Sequence, residues 1–258
     1  MTDALPFRWL SAPPAPPDTV PLVALHGFLG SSDDWAGLAA RLPGRAVAGI
    51  DLPGHGAATG LSDDAYAFDA AVDALAATFD AHGIARADLL GYSMGGRVAL
   101  AFALRYPERL RTLTLESASA GLETDDARTA RRALDAERAD ALVADLPGFL
   151  RRWVAMPLFS TLTPEQRRAL VAERSRSDPH ELARGLVGMG TGAMPDLWPH
   201  LGTLTCPVRL VAGSEDAKFV ALARRMADRM PDATLHVVDG AGHNVHLERP
   251  DVFARLVA

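Results

Sequence analysis

The segment Leu89-Leu90-Gly91-Tyr92-Ser93-Met94-Gly95-Gly96-Arg97 constrains this chain more than any other. An apolar run ends in G-x-S-x-G and passes directly into helix-forming Val98-Ala99-Leu100-Ala101-Phe102. A serine held between small residues on a strand-to-helix turn keeps its hydroxyl above a sheet, and the next amide, on Met94, is aimed at a developing oxyanion. The competing reading is that the glycines merely permit a tight turn and close helix packing. The rest of the chain has to decide between them.

Around this turn the apolar runs recur at 22–25, 46–50, 89–90 and 113–115. Helical stretches such as 33–42 and 65–81 separate them, the rhythm of a parallel sheet with crossover helices. From Ser119 to about Leu201 that rhythm stops. Arginine-rich and acidic helical segments take over, broken at Pro147, Pro157, Pro164, Pro179 and Pro195. Strands return at 208–212 and 234–238. The pattern predicts an α/β-hydrolase fold: a mostly parallel sheet flanked by helices, its core made of 1–118 and 202–258, with a helical cap inserted at 119–201. Pro13, Pro14, Pro16 and Pro17 suggest a turn between two edge strands.

In that fold the acid and the base follow the serine on later strand ends. Asp216 lies just past the 208–212 strand and His243 just past 234–238. Of eight histidines only His236, His243 and His246 come after Asp216; His236 falls within a strand and His246 opens the last helical region. The reading is therefore Ser93 as nucleophile or base, His243 as its proton acceptor and Asp216 as the orienting acid, with Glu215 a weaker alternative. Leu25-His26-Gly27-Phe28-Leu29-Gly30 follows the first long strand as an oxyanion loop would, pairing the Phe28 amide with that of Met94. Asp51-Leu52-Pro53-Gly54-His55-Gly56 reads as a structural strand-end turn.

At 258 residues the chain can bury about 75% of its unfolded surface, and its formal charge of −6 argues against a nucleic-acid surface. No apolar stretch approaches the ~20 residues of a membrane span, and a cytoplasmic protein is expected. The lone Cys206 rules out an intramolecular disulfide and reads as a buried, inert side chain. All but one of the 26 basic residues are arginine, Lys218 being the exception. Arg97, one helical turn after Ser93, is costly in a purely apolar pocket unless an anion compensates it, which points to an acidic substrate.

These motifs together resemble the 2-succinyl-6-hydroxy-2,4-cyclohexadiene-1-carboxylate synthase family over nearly the whole chain. The resemblance is carried by HGFLGSSDDW at 26–35, GYSMGGRVAL at 91–100, LESASAGL at 115–122, GMGTGAMPDLW at 188–198 and GAGHNVHLERP at 240–250. It implies two cap arginines as carboxylate ligands, Arg131 (with Arg132 as the alternative) and Arg174, and pocket roles for Tyr92 and Trp153. It implies elimination of pyruvate from 2-succinyl-5-enolpyruvyl-6-hydroxy-3-cyclohexene-1-carboxylate, a polycarboxylate small molecule, with no metal and no organic cofactor. The span 120–196 holds eleven arginines against twelve acidic residues, so it is not a basic surface, and most of those arginines are expected to be solvated. A serine hydrolase of an ester, thioester or carbon–carbon bond is the alternative function, and a noncatalytic ligand-binding module the third. Oligomeric state is not legible in the sequence.

Overall fold

A computed structural model describes residues 3–13 and 19–258. Seven strands form one sheet: β1 (Phe7–Trp9), β2 (Leu22–Leu25), β3 (Val47–Ile50), β4 (Ala87–Tyr92), β5 (Leu110–Glu116), β6 (Val208–Gly213) and β7 (Ala233–Val238). Their spatial order is β1-β3-β2-β4-β5-β6-β7. Only the β1–β3 pairing is antiparallel. The expected turn between two edge strands is corrected here: β1 is an edge, but β2 lies inside the sheet between β3 and β4. Pro14, Pro16 and Pro17 lie outside the described residues.

Every residue of β2, β3 and β4 is buried, because helices cover both faces of the sheet, and that is why these strands read as mainly apolar runs, the exception being Asp88 of β4, which is paired with Arg45 and Arg111. Successive side chains point to opposite faces. Val23, Leu89 and Leu210 join one core cluster, while their neighbours Leu22, Leu90 and Val211 join the other. The first cluster packs against α2 (Phe68–Ala81), α3 (Met94–Arg105) and α8 (Ala217–Ala227). The second packs against α1 (Ala36–Ala39) and α10 (Pro250–Val257), with the fully buried Trp35 and Phe253 at its centre. Phe79 of α2 and Phe102 of α3 meet at 5.2 Å between ring centroids, both without exposed surface. Truncating either to alanine removes packing worth about 3–5 kcal/mol.

Between β5 and β6 the chain forms α4 (Asp125–Ala144), α5 (Leu146–Val154), α6 (Pro164–Arg174) and α7 (Pro179–Met189), with no strand among the described residues. The prolines that break the sequence pattern open these elements. Pro164 and Pro179 stand first in α6 and α7, where a missing N–H costs nothing, behind the capping side chains of Thr163 and Asp178. Thr124 and Asp145 cap α4 and α5 in the same way. A separate apolar cluster of Leu142, Leu146, Phe149, Leu150 and Leu182 binds these helices to one another and to Leu29 of the loop after β2. α9 (Val245–Glu248) completes the chain before α10. No helix among the described residues is long and apolar enough to cross a membrane.

The parallel register sets the position of the site. Leu25 pairs with Gly91, Tyr92 with Glu116, and Glu116 with Val211, so β2, β4, β5 and β6 end along one edge of the sheet. The loops leaving that edge carry Phe28, Ser93 and Asp216, and the loop after β7 brings His243 beside them.

Candidate active site

Ser93 turns the chain from β4 into α3 with φ 50° and ψ −104°, a backbone conformation costly for any side-chain-bearing residue. The flanking glycines make the turn possible. A Cβ on Gly91 would lie 2.5 Å from the Gly95 carbonyl oxygen, and one on Gly95 would lie 2.4 Å from that of His26. The Gly95 amide donates to this same His26 carbonyl at 3.0 Å, fastening the loop after β2 onto the elbow. Within the fastened loop, Gly30 N–H closes on the Gly27 carbonyl and Leu29 takes φ 69°. The amides of Phe28 and Met94 stand on either side of this junction, free of hydrogen bonds among the described residues. Met94 opens α3, where the first amides have no partner inside the helix.

His243 Nε2 lies 3.2 Å from Ser93 Oγ, and His243 Nδ1 lies 2.7 Å from Asp216 Oδ2. Asp216 is buried, and its other oxygen accepts the Phe219 amide. The adjacent Glu215 is exposed and takes the Ser214 hydroxyl instead, so the weaker acid candidate faces away from His243. Aromatic edges of Tyr92, Phe159 and Phe219 surround the imidazole with centroids 4.6–6.2 Å away. Lys218 sits over the Phe219 ring at 5.4 Å.

Below this chain two more histidines are held neutral. His26 donates from Nδ1 to the Gly27 carbonyl and accepts the Leu52 amide at Nε2, and its pKa is lowered by burial. His55, 1% exposed, is pushed down to about 3 by burial and then by the neighbouring His26. It packs against Phe28, in keeping with its structural reading.

A cavity of about 400 Å³ opens beside the elbow, lined among others by Phe28, Tyr92, Trp153, Arg174, Asp34 and His246. Trp153 stacks on Phe149 and meets Phe28 edge-on at 5.3 Å. Arg174 is not free within it. Its Nη2 lies 2.5 Å from Asp34 Oδ1 and its Nη1 3.2 Å from Glu173; although burial opposes the charge, these carboxylates raise its pKa.

Arg97 and Arg131 are not among the residues lining this cavity and lie near a different acid, Asp135. Arg131 Nε donates to the buried Asp135 at 2.8 Å. Arg97 donates from Nη2 to the Met189 carbonyl at 3.0 Å, while its Nε is buried with no partner among the described residues. Burial and then the charge of Arg131, partly relieved by Asp135, lower the Arg97 pKa to about 10. Arg132 bonds the Gly192 carbonyl and Thr129, so it is Arg131 that faces Arg97.

Sequence reasoning missed one pair. The completely buried Glu116 holds His246 Nδ1 at 2.9 Å from both its oxygens, and the two rings of His243 and His246 pack on Tyr92. Burial opposes protonation of His246, but Glu116 raises its pKa. The same carboxylate, after burial, raises that of Tyr92. Glu116 and His246 both occur in the motifs above, 130 positions apart, and nothing local links them.

A sequence profile of the α/β hydrolase fold matches residues 20–250. A 2-succinyl-6-hydroxy-2,4-cyclohexadiene-1-carboxylate synthase from Salmonella typhimurium (strain LT2) is 37% identical over 238 residues, covering 92% of each chain. This chain belongs to that synthase family, within the α/β hydrolases. Among solved structures, MenH from S. aureus is similar with a TM-score of 0.91 and 33% identity, over 97% of this chain and 96% of that one. A thermophilic esterase from Thermogutta terrifontis with malate bound has a TM-score of 0.81 and 25% identity, over 98% and 91%. The synthase family and the esterase thus share one architecture.

Proposed function

We propose that this chain eliminates pyruvate from 2-succinyl-5-enolpyruvyl-6-hydroxy-3-cyclohexene-1-carboxylate to give 2-succinyl-6-hydroxy-2,4-cyclohexadiene-1-carboxylate, in the cytoplasm and as a step of menaquinone biosynthesis. The observation that carries the reading is the hydrogen-bonded run Ser93–His243–Asp216 with the partly buried Arg97 one helical turn away, its Nε–H buried and unused. That is the arrangement of a base next to an anion-binding group, in a chain whose relative bears the synthase name.

In this proposal His243, oriented by Asp216, takes the Ser93 proton, and the Ser93 oxygen removes the activated ring proton. The electron pair moves into the succinyl carbonyl, whose oxygen takes the charge between the Phe28 and Met94 amides, each donor worth about 2.7–4 kcal/mol. Collapse of this enolate breaks the ring C–O bond. The departing enolpyruvate takes a proton and becomes pyruvate. Arg97, Arg131 and Arg174 orient the carboxylates, Tyr92 and Trp153 wall the ring, and residues 119–201 act as a cap on the core of 1–118 and 202–258.

The likeness to an esterase supports the second reading, a serine hydrolase built on the same residues. Pyruvate release from the enolpyruvyl substrate, measured above the spontaneous background, separates the two. The proposal requires enzyme-dependent release that falls roughly 10³-fold or more in Ser93→Ala. Background release from protein that still hydrolyses simple esters through Ser93 moves the hydrolase to first place.

A further inference from the structure

On α4, Arg131, Asp135 and Arg138 stand at i, i+4 and i+7, one above another on a single helical face. Arg138 carries no motif and is absent from the residues that the family resemblance implies. Its Nη1 lies 3.6 Å from Asp135 Oδ1, the oxygen that also accepts Arg131 Nε. Its guanidinium covers the Trp153 ring at 5.8 Å, on the aromatic wall of the cavity. From α7, Met189 supplies the carbonyl that holds Arg97, and the next residue, Gly190, packs so tightly that a Cβ there would lie 2.5 Å from Asp135 Oδ2. Two guanidinium groups therefore share one buried carboxylate, and Arg97 stands near enough to feel the charges of both Arg131 and Asp135, so positive charge is in excess. Arg131 engages Asp135 through Nε alone, and its terminal nitrogens have no hydrogen-bond partner among the described residues. Arg131 and Arg138 are 29% and 28% exposed, open enough to meet a solute and shielded enough for charge to matter. Burial and the charge of Arg131, incompletely offset by Asp135, lower the Arg138 pKa just as they do for Arg97.

We propose that Arg138 is a substrate-binding residue: with Arg97 and Arg131 it forms a cradle around Asp135 that takes two carboxylate groups, and it selects dianionic over neutral substrates. Guanidinium forks suit that task because each can donate two parallel hydrogen bonds to one carboxylate. Asp135 holds the forks apart and in register while the cradle is empty. The inference rests on the proposed elimination for its turnover readout, but not for its binding readout.

The test is titration calorimetry with succinate, a free dicarboxylate, on the full chain carrying Ser93→Ala, alone and with Arg138→Gln or Arg138→Lys, alongside pyruvate-release kinetics in the Ser93 background. The cradle predicts a succinate Kd and a substrate KM about tenfold higher in Arg138→Gln, kcat within about twofold, and at most partial recovery in Arg138→Lys, whose ammonium restores the charge but not the two-pronged fork. Should Arg138→Gln fail to fold, Arg138→Met, which keeps the aliphatic stem against Trp153, replaces it. Succinate binding that is undetectable in the parent, unchanged in Arg138→Gln, or fully restored in Arg138→Lys overturns the cradle. Succinate binding that depends on Arg138 in a protein releasing no pyruvate upholds the cradle and sinks the reaction.

Discussion

Two arginine sites, Arg174 and the group of Arg97, Arg131 and Arg138, differ in charge balance. Arg174 meets two carboxylates, Glu173 and Asp34, and its pair with Asp34, both side chains 11% exposed, joins the end of α6 to the loop before α1. Arg131 and Arg138 share the single Asp135 with Arg97 close by, and Arg97 and Arg138 have lowered pKa values. A balanced buried pair satisfies itself and ties elements together; an unbalanced cluster is costly until an anion arrives. The positions that the sequence groups together as carboxylate ligands therefore differ in what they do when the pocket is empty.

The sharpest way to break this contrast is Arg97→Met. Loss of the guanidinium should lower kcat/KM for the enolpyruvyl substrate by about 10²–10³-fold while raising thermal stability by about 1 kcal/mol, because a partly buried charge repelled by Arg131 is replaced by an apolar stem. A melting temperature that falls instead would mean that Arg97 is already compensated. Arg174→Met should have the opposite sign in stability, costing about 3 kcal/mol in chemical denaturation by leaving the largely buried Asp34 carboxylate without its cation, with Asp34→Asn in the same chain restoring most of it.

The Glu116–His246 pair is a third case, balanced only while the imidazole is protonated. Its folded pKa is raised above the unfolded value of about 6.5. Its contribution is therefore complete below about pH 6.5 and is lost as pH rises through the raised value. Glu116→Gln should destabilise the protein at pH 6 more than at pH 9, the gap closing with a slope of at most about 1.4 kcal/mol per pH unit; equal destabilisation at both would assign Glu116 a purely steric role. The smallest effect belongs to Arg132→Ala, which loses its bonds to the Gly192 carbonyl and Thr129. Its kcat/KM should stay within about twofold of the parent, and a larger loss would exchange the roles assigned to Arg131 and Arg132.

Much of the fold was legible because local and global signals agree. Strands buried on both faces are apolar almost throughout, as 22–25 and 89–92 are. The elbow glycines are required by backbone contacts under 3 Å, which no other residue tolerates. The proline-led helices of 125–189 were visible as breaks in a pattern because proline costs nothing at a helix start. Less was legible at the N-terminus, where adjacency in sequence suggested edge pairing for 22–25. Placing that strand inside the sheet depends on β3 and β4, which come later in the chain.

The sequence by itself determined the parallel α/β architecture, the order of serine, acid and histidine along it, and the excess of arginine over lysine, since periodicity and turn chemistry act over a few residues. Only the tertiary structure decided that Asp216 rather than Glu215 meets His243, that Arg131 rather than Arg132 faces Arg97, and that Glu116 lies behind His246. It also decided which arginines are already neutralised. Charge compensation depends on distances of a few ångströms between segments tens to more than a hundred residues apart, and no local pattern encodes those distances.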